Sequence, residues 1–224
     1  MTFLRPIPKS LVAPAGLPRL EPPRSTPELA ASVGIGHSVE SLVPVPSQFG
    51  QFVPYDQLPI PPRERLVLRS GVIQRLEHAL AALPEPFGIA VLDGWRSNDY
   101  QRELLSYYTA RFPDIGDGYV ADPEDAFVAP PHTTGGAVDL TLSWNGASLA
   151  LGTDYDSFAD AAHVGALEND HDSPIARDLR RLLSSVLRGA GFAPYPLEWW
   201  HWSYGDQWWA AEYGYPVSLY SQVG

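Results

Sequence analysis

The chain contains no cysteine, and this absence limits both its covalent structure and its metal chemistry. Without thiols it has no disulfide bonds and no thiolate zinc site, so any bound metal must take nitrogen and oxygen ligands. Hydrophobic residues make up 45% of the 224 positions, which is enough for one domain with a sizeable core and an extension. A second full catalytic domain does not fit in this length.

Basic residues and long apolar runs are also scarce. The 15 Lys and Arg residues face 26 Asp and Glu residues, a formal net charge of -11, so the chain lacks the basic surface of nucleic-acid-binding proteins. No stretch approaches the ~18 apolar residues of a membrane span, and the first residues lack the pattern of a signal peptide. The sequence therefore predicts a cytoplasmic protein without nucleic-acid or membrane partners, and its oligomeric state is left open.

Proline is abundant, but unevenly distributed. Of the 23 prolines, 13 fall within residues 1–62, where they remove amide donors and disfavour helix at the preceding residue. This segment should be mostly extended or irregular. Residues 49–55 nevertheless carry several large apolar side chains that favour burial. We therefore expect residues 1–62 to form a proline-rich wrapping arm around a catalytic domain formed by residues 63–224.

The remaining residues alternate between helix and strand patterns. Apolar residues at intervals of three and four predict amphipathic helices, and short apolar or aromatic runs predict buried strands. The predicted helices cover about 70–83, 99–112 and 174–190, and the predicted strands cover 87–92, 137–142 and 195–204. Helices that flank a mainly antiparallel sheet make an α+β domain.

The string PHTTGGAVD at residues 131–139 contains the first candidate ligands, His132 and Asp139. A fully extended chain would separate them by about 23 Å, whereas ligands of one zinc ion each lie about 2 Å from it. Both can bind only if the chain folds back, and Thr-Thr-Gly-Gly favours a turn because glycine accepts positive φ. The alternative is an ordinary loop histidine before a strand whose aspartate caps a turn.

The string EWWH at residues 198–201 supplies a second histidine, His201, and a second carboxylate, Glu198. Two residues three apart share a face on a helix but point to opposite sides of a regular strand. The tryptophans favour a strand, so a bulge or strand-end twist is needed to bring both side chains to one metal. The alternative is an aromatic core strand with Glu198 at the surface.

These strings, with DGWR at 93–96 and LGTDYDSF at 151–158, closely resemble motifs of the VanX-type D-alanyl-D-alanine dipeptidases. That group belongs to the zinc D,D-peptidases, which are related in fold to the Hedgehog amino-terminal domain. The four motifs occur in the same order over residues 93–201. The resemblance implies a Hedgehog/DD-peptidase-like α+β fold, with a mainly antiparallel sheet and flanking helices, and hydrolysis of a free dipeptide, D-alanyl-D-alanine.

The resemblance also implies a role for each candidate residue. One zinc ion per chain is held by His132, Asp139 and His201, with the fourth position open to water. Glu198 acts as general base and then acid, and Arg96 stabilises the carbonyl oxygen as it becomes an oxyanion. Asp156 receives the free ammonium group of the substrate, which favours a dipeptide over a longer peptide because a longer peptide presents an uncharged amide there.

This chain departs from the family pattern beside His132. Pro130 stands where relatives commonly have Ser, and Thr133-Thr134 stand where relatives often have Ser-Arg. Proline has neither a side-chain hydroxyl nor a backbone N–H to donate, so a substrate contact made there in relatives is lost or relocated.

Two other functions stay open: a D,D-carboxypeptidase or cell-wall endopeptidase on longer peptides, and a non-catalytic zinc-containing binding domain. Glu198 and Arg96 argue against the latter, because a structural site needs neither.

Overall fold

A mixed sheet forms the centre of the structure, a computed structural model that describes residues 2–51, 55, 58–59, 66–113 and 119–223. Within these residues the sheet has the strand order β2-β4-β5-β8-β7, with β6 paired to β5, while β1 and β3 form a separate pair. The strands are β1 (Leu42–Pro44), β2 (Gly50–Gln51), β3 (Val67–Arg69), β4 (Phe87–Asp93), β5 (Ala137–Trp144), β6 (Ala147–Ser148), β7 (Ala193–Tyr195) and β8 (Glu198–Ser203).

The pairing within this sheet is antiparallel, except for the short β2, which runs parallel to β4. The central strand β5 is buried over seven of its eight consecutive residues, so both of its faces are covered. Such a strand is rich in apolar side chains, and its polar Asp139 is therefore conspicuous in the core. The predicted α+β class with a mainly antiparallel sheet is confirmed.

The described helices are α1 (Pro27–Ala31), α2 (Ser70–Ala81), α3 (Asn98–Arg111), α4 (Pro174–Gly189) and α5 (Gln207–Tyr213). The apolar positions of α2 and α4 face the core, as their spacing predicts. The Ser97 side chain accepts a hydrogen bond from the Tyr100 amide and caps α3. None of the described helices is both long enough and apolar enough to cross a membrane.

Two predictions near the C-terminus were incomplete. The expected single strand over 195–204 is interrupted: β7 ends at Tyr195 and β8 begins at Glu198, so Pro196 and Leu197 form a turn between two paired strands. Proline lacks the N–H that a continuous strand needs at this position. Helix α5 was not predicted, although Asp206 caps its start and Gly214, with φ of 71°, follows its end.

The proline-rich segment packs on the rest of the chain at several places. Leu4, Leu11 and Phe49 are buried in the main hydrophobic cluster. Arg5 and Leu149 form an isolated bridge, and so do Gly34 and Val217. Between residues 2 and 51 the only helix is the five-residue α1, and the strands there have two or three residues, in line with the proline content. The boundary at residue 62, which lies outside the described residues, stays a prediction.

Candidate metal and substrate site

The pairing of β5 with β8 brings Asp139 and His201 together. These two residues are register partners in the antiparallel ladder, and directly opposed side chains share a face of the sheet. Nδ1 of His201 lies 3.1 Å from Oδ1 of Asp139. One strand pairing thus brings together two residues that lie 62 positions apart in the sequence.

His132 joins this pair from a single turn of 3₁₀ helix, Pro131–Thr134, that precedes β5. Gly135 follows the turn with φ of 73°, a conformation that glycine adopts without steric cost and that reverses the chain direction. Nε2 of His132 lies 3.3 Å from Oδ1 of Asp139 and 3.2 Å from Nδ1 of His201. The fold-back that the Thr-Thr-Gly-Gly string predicts is therefore present.

The other ring nitrogen of His132 selects its tautomer. Nδ1 lies 2.8 Å from the carbonyl oxygen of Gly94, and a carbonyl can only accept a hydrogen bond, so Nδ1 carries the proton. Nε2 then directs its lone pair at the Asp139–His201 pair. A backbone carbonyl that orients a histidine in this way is the usual support of a metal ligand.

The three donor atoms suit a zinc ion. His132, Asp139 and His201 are buried, and one ligand atom from each lies within 4.8 Å of the others. Among the described residues, Oδ1 of Asp139 has no hydrogen-bond partner. Burial and the nearby Arg96 charge lower the pKa of His132, which favours the neutral imidazole that metals require. Two imidazole nitrogens and one carboxylate oxygen form a zinc donor set with room for a fourth ligand.

Glu198 lies beside this cluster because β8 is irregular. The register between β7 and β8 shifts between Pro194 and Tyr195, whose partners are Trp202 and Glu198. This is the irregularity needed to place two residues three apart on one side of the strand. Oε2 of Glu198 lies 3.8 Å from Nδ1 of His201. Burial, together with the charges of Asp139 and Asp156, raises the pKa of Glu198 well above its ordinary value.

Arg96 enters the same region from the loop after β4 and is held on three sides. Its Nε donates to Oδ2 of Asp93 at 2.9 Å, and its Nη1 donates to Oε1 of Gln101 at 3.0 Å. Nη2 donates to the hydroxyl of Tyr55 at 3.2 Å and lies 3.6 Å from Oδ2 of Asp139. Burial disfavours the charge on Arg96, but Asp93, Tyr55 and Asp139 together outweigh burial and hold the pKa of the guanidinium well above its ordinary value.

Asp156, in the LGTDYDSF loop, lines the same cavity. It accepts hydrogen bonds from the hydroxyls of Tyr55, at 3.2 Å, and of Tyr108. Its backbone adopts φ of 57°, a left-handed conformation that Asp tolerates better than most residues. Burial raises the pKa of Asp156 to about 7, because two hydroxyl donors do not fully replace the water that the carboxylate loses.

All six candidate residues line one cavity of about 570 Å³. Small-molecule sites usually have volumes of ~300–1,000 Å³, so the cavity has room for a whole dipeptide. The structure thus brings together the residues that the motifs single out. The sequence did not single out three neighbouring tyrosines: Tyr108 on α3, Tyr55 within the proline-rich segment, and Tyr155, which stands inside the fourth motif. The predicted burial of residues 49–55 was the only sequence signal for Tyr55.

Comparison with known proteins agrees with this geometry. The peptidase M15 family model, described as D-ala-D-ala dipeptidase, matches residues 60–218. The chain belongs to this family. Its members are zinc-dependent peptidases, and the chain is accordingly a zinc metallopeptidase. Family membership also agrees with the Hedgehog/DD-peptidase-like architecture that the resemblance implied.

Curated relatives carry the same description. A D-alanyl-D-alanine dipeptidase of Synechocystis sp. is 30% identical over 183 residues, which cover 67% of this chain and 74% of that protein. The D-alanyl-D-alanine dipeptidase of Enterococcus faecium is 30% identical over 145 residues, which cover 56% of this chain and 66% of that protein. A solved LdcB LD-carboxypeptidase aligns with a TM-score of 0.47 and 19% identity, over 79% of this chain and 73% of that chain.

The structure also describes the departure from the M15 pattern at Pro130. The Pro130 carbonyl accepts hydrogen bonds from the Thr133 amide at 2.9 Å and from the Thr133 hydroxyl at 2.7 Å. The Thr134 hydroxyl is likewise bonded to the Pro131 carbonyl, at 2.6 Å. Both threonine hydroxyls therefore stabilise the turn that carries His132.

Proposed function

We propose that this chain hydrolyses free dipeptides with an unblocked amino terminus, D-alanyl-D-alanine first among them, and that it does so in the cytoplasm with one zinc ion per chain. The Asp156 carboxylate, in the same cavity as the His132, Asp139 and His201 donor cluster, carries this proposal. A peptidase that acted inside longer peptides has no use for a buried acceptor of positive charge at this place.

His132, Asp139 and His201 would hold the zinc ion through Nε2, Oδ1 and Nδ1, the three atoms that face one another. When bound at such a donor set, zinc supplies Lewis acidity and lowers the pKa of water to about 7. Asp139 supplies one negative charge. The bound ion would offset the burial that raises the pKa of Glu198 and favour its carboxylate form, which supplies a second.

Glu198 moves the protons of the reaction. Its carboxylate accepts a proton from the attacking water, whose oxygen forms the new bond to the scissile carbonyl carbon. When the C–N bond breaks, Glu198 returns that proton to the leaving amine. The short distance from Glu198 to His201, 3.8 Å between Oε2 and Nδ1, places this carboxylate next to the donor cluster. General acid–base catalysis of this kind typically contributes ~10²–10⁴-fold in rate.

Arg96 stabilises the charge that develops on the carbonyl oxygen. Hydrogen bonds to Asp93 and Gln101 fix its guanidinium before substrate arrives, so no reorganisation is needed during the reaction. Its pKa is held well above the ordinary value, so it remains charged at every relevant pH. A donor preorganised toward a developing charge is worth ~10²–10³-fold in rate.

Asp156 selects substrates by their amino terminus. A free ammonium group forms a charge pair with the carboxylate, whereas an acylated nitrogen offers no charge to compensate the burial of Asp156. The same residue therefore accounts for the distinction between a dipeptide and the end of a longer peptide. Tyr55 and Tyr108 hold the carboxylate toward the cavity.

The test is D-alanine release by the zinc-loaded protein from D-alanyl-D-alanine and from its N-acetylated form. We expect rapid release from the free dipeptide and at least ~30-fold lower kcat/KM for the acetylated one, since losing one partner of a buried charge pair costs ~2–5 kcal/mol. Similar turnover of both would favour a carboxypeptidase on longer peptides. No turnover of either, with zinc bound, would favour the binding-domain alternative. L-alanyl-L-alanine in the same assay measures the stereochemical preference.

A further inference from the structure

The two carboxylate oxygens of Asp139 have different neighbours. Oδ1 faces the imidazole nitrogens of His132 and His201, at 3.3 and 3.1 Å. Oδ2 accepts a hydrogen bond from the hydroxyl of Tyr155 at 2.8 Å and lies 3.6 Å from Nη2 of Arg96. Oδ1 therefore faces the other two metal-ligand atoms, and Oδ2 is hydrogen-bonded to a hydroxyl.

The position of Tyr155 is rigid. Its side chain is 2% exposed, and its ring packs against Tyr55 at 5.6 Å and Trp200 at 5.4 Å between centroids. The ring cannot turn without moving these aromatic neighbours. A carboxylate oxygen can only accept a hydrogen bond, so at 2.8 Å the Tyr155 hydroxyl is the donor to Oδ2 of Asp139.

We propose that Tyr155 is a positioning residue for the metal site: its hydroxyl holds Oδ2 of Asp139 and so presents Oδ1 alone to the zinc ion. This inference rests on the proposed ligand set. Without this hydrogen bond Oδ2 keeps only the Arg96 guanidinium, 3.6 Å away, and the carboxylate loses part of its orientation toward His132 and His201. Groups that orient a metal ligand in this way typically contribute ~10–100-fold in metal affinity.

Tyr155→Phe removes the hydroxyl and keeps the ring that packs against Tyr55 and Trp200. We expect the zinc dissociation constant, measured by competition with a chromophoric chelator, to rise about 10–100-fold. Tyr220→Phe is the matched control: Tyr220 is 1% exposed, and its hydroxyl donates to Oε2 of Glu40 at 3.0 Å, outside the cavity. The control should keep the affinity of the unaltered protein. A Tyr155→Phe affinity within about twofold of that protein would overturn the inference.

The Asp139→Ala background separates a direct effect from a general loosening of the fold. Without the carboxylate, the Tyr155 hydroxyl has nothing to orient, so Tyr155→Phe should leave the remaining zinc affinity of Asp139→Ala unchanged. A further loss of affinity in the double variant would mean that Tyr155 acts through packing, and would reject its action through Asp139. If Asp139→Ala alone keeps full affinity, the ligand set of the proposed function fails instead. Circular dichroism of every metal-free variant checks that each one folds.

Discussion

The hydroxyl of Tyr55 donates a hydrogen bond of 3.2 Å to Oδ1 of Asp156. The same hydroxyl accepts a hydrogen bond of 3.2 Å from Nη2 of Arg96. One oxygen atom thus connects Arg96, the proposed oxyanion stabiliser, with Asp156, the proposed acceptor of the substrate ammonium. Tyr55 precedes residues 60–218, over which the family model matches, so a residue outside that span takes part in the cavity.

Tyr55→Phe should weaken substrate binding more than it slows the chemical step. Asp156 loses one of two hydroxyl donors, and a hydrogen bond to a charged group is worth ~1.5–3 kcal/mol, which corresponds to about a 10–100-fold rise in KM. Arg96 keeps Asp93 and Gln101, so kcat should fall less than about fivefold. Steady-state kinetics with D-alanyl-D-alanine measures both constants.

Tyr213→Phe is the control for this substitution, since the Tyr213 hydroxyl donates to the Phe192 carbonyl outside the cavity, at 2.9 Å. Its KM and kcat should match those of the unaltered protein. An unchanged KM in Tyr55→Phe, or a kcat that falls as steeply as KM rises, would refute the coupling between Tyr55 and Asp156.

Asp156 should make substrate binding depend on pH in a narrow range. Its pKa is raised to about 7, so the carboxylate is charged above pH 7 and becomes protonated, and unable to pair with a cation, below it. The substrate amine, with a pKa of about 8, loses its charge above that pH. Both partners are therefore charged mainly between about pH 7 and 8. We expect KM to be lowest there and to rise by up to tenfold for each further pH unit on the acid side.

Asp156→Asn is the comparison for the pH experiment. It should have a higher KM at pH 7.5 and a much flatter KM profile between pH 5.5 and 7.5, because no group then titrates at the ammonium site. It should also lose most of its preference for free over N-acetylated dipeptide. If the KM of Asp156→Asn rises as steeply at acid pH as that of the unaltered protein, the pH dependence belongs to another group.

Glu198→Gln should keep the metal and lose the chemistry. The amide keeps nearly the shape of the carboxylate but cannot accept the proton of the attacking water, so kcat should fall ~10²–10⁴-fold. Elemental analysis of the purified variant should still find one zinc ion per chain, since His132, Asp139 and His201 are intact. Hydrolysis within a few-fold of the unaltered protein would remove Glu198 from its proposed role.

Much of the fold follows from local patterns. The apolar spacing of α2 and α4 predicts these helices because each buries a single stripe of side chains. The β7–β8 turn and α5 were not predicted for a local reason as well. Tryptophans stand at positions 199, 200, 202, 208 and 209, and such a density of large aromatics predicts a strand more strongly than it indicates a break. Pro196, which interrupts a strand, and Asp206, which caps a helix, are the two sequence signals that outweigh the aromatic pattern.

In the candidate site, the residues that the motifs contain could be predicted from the sequence, whereas the residues that orient them could not. His132, Asp139, His201, Glu198, Arg96 and Asp156 stand in recognisable strings, so the resemblance brings them forward. The hydroxyl contacts of Tyr55 and Tyr155 depend instead on which segments pack together across the fold, over 101 residues for the Tyr55–Asp156 pair. No spacing along the chain encodes such a contact. The residues that orient the site are therefore visible only once the strands are paired and the aromatic rings are packed.

The central claim is that one zinc ion in the His132–Asp139–His201 cluster makes this chain a dipeptidase. Its most direct test is the titration of chelator-stripped protein with zinc while D-alanine release from D-alanyl-D-alanine is followed. We predict no activity without zinc, a linear rise with added zinc, and a plateau at one equivalent per chain; His201→Ala should show neither the rise nor the plateau under the same conditions. Full activity in the stripped protein, or none at any zinc concentration, would contradict the account.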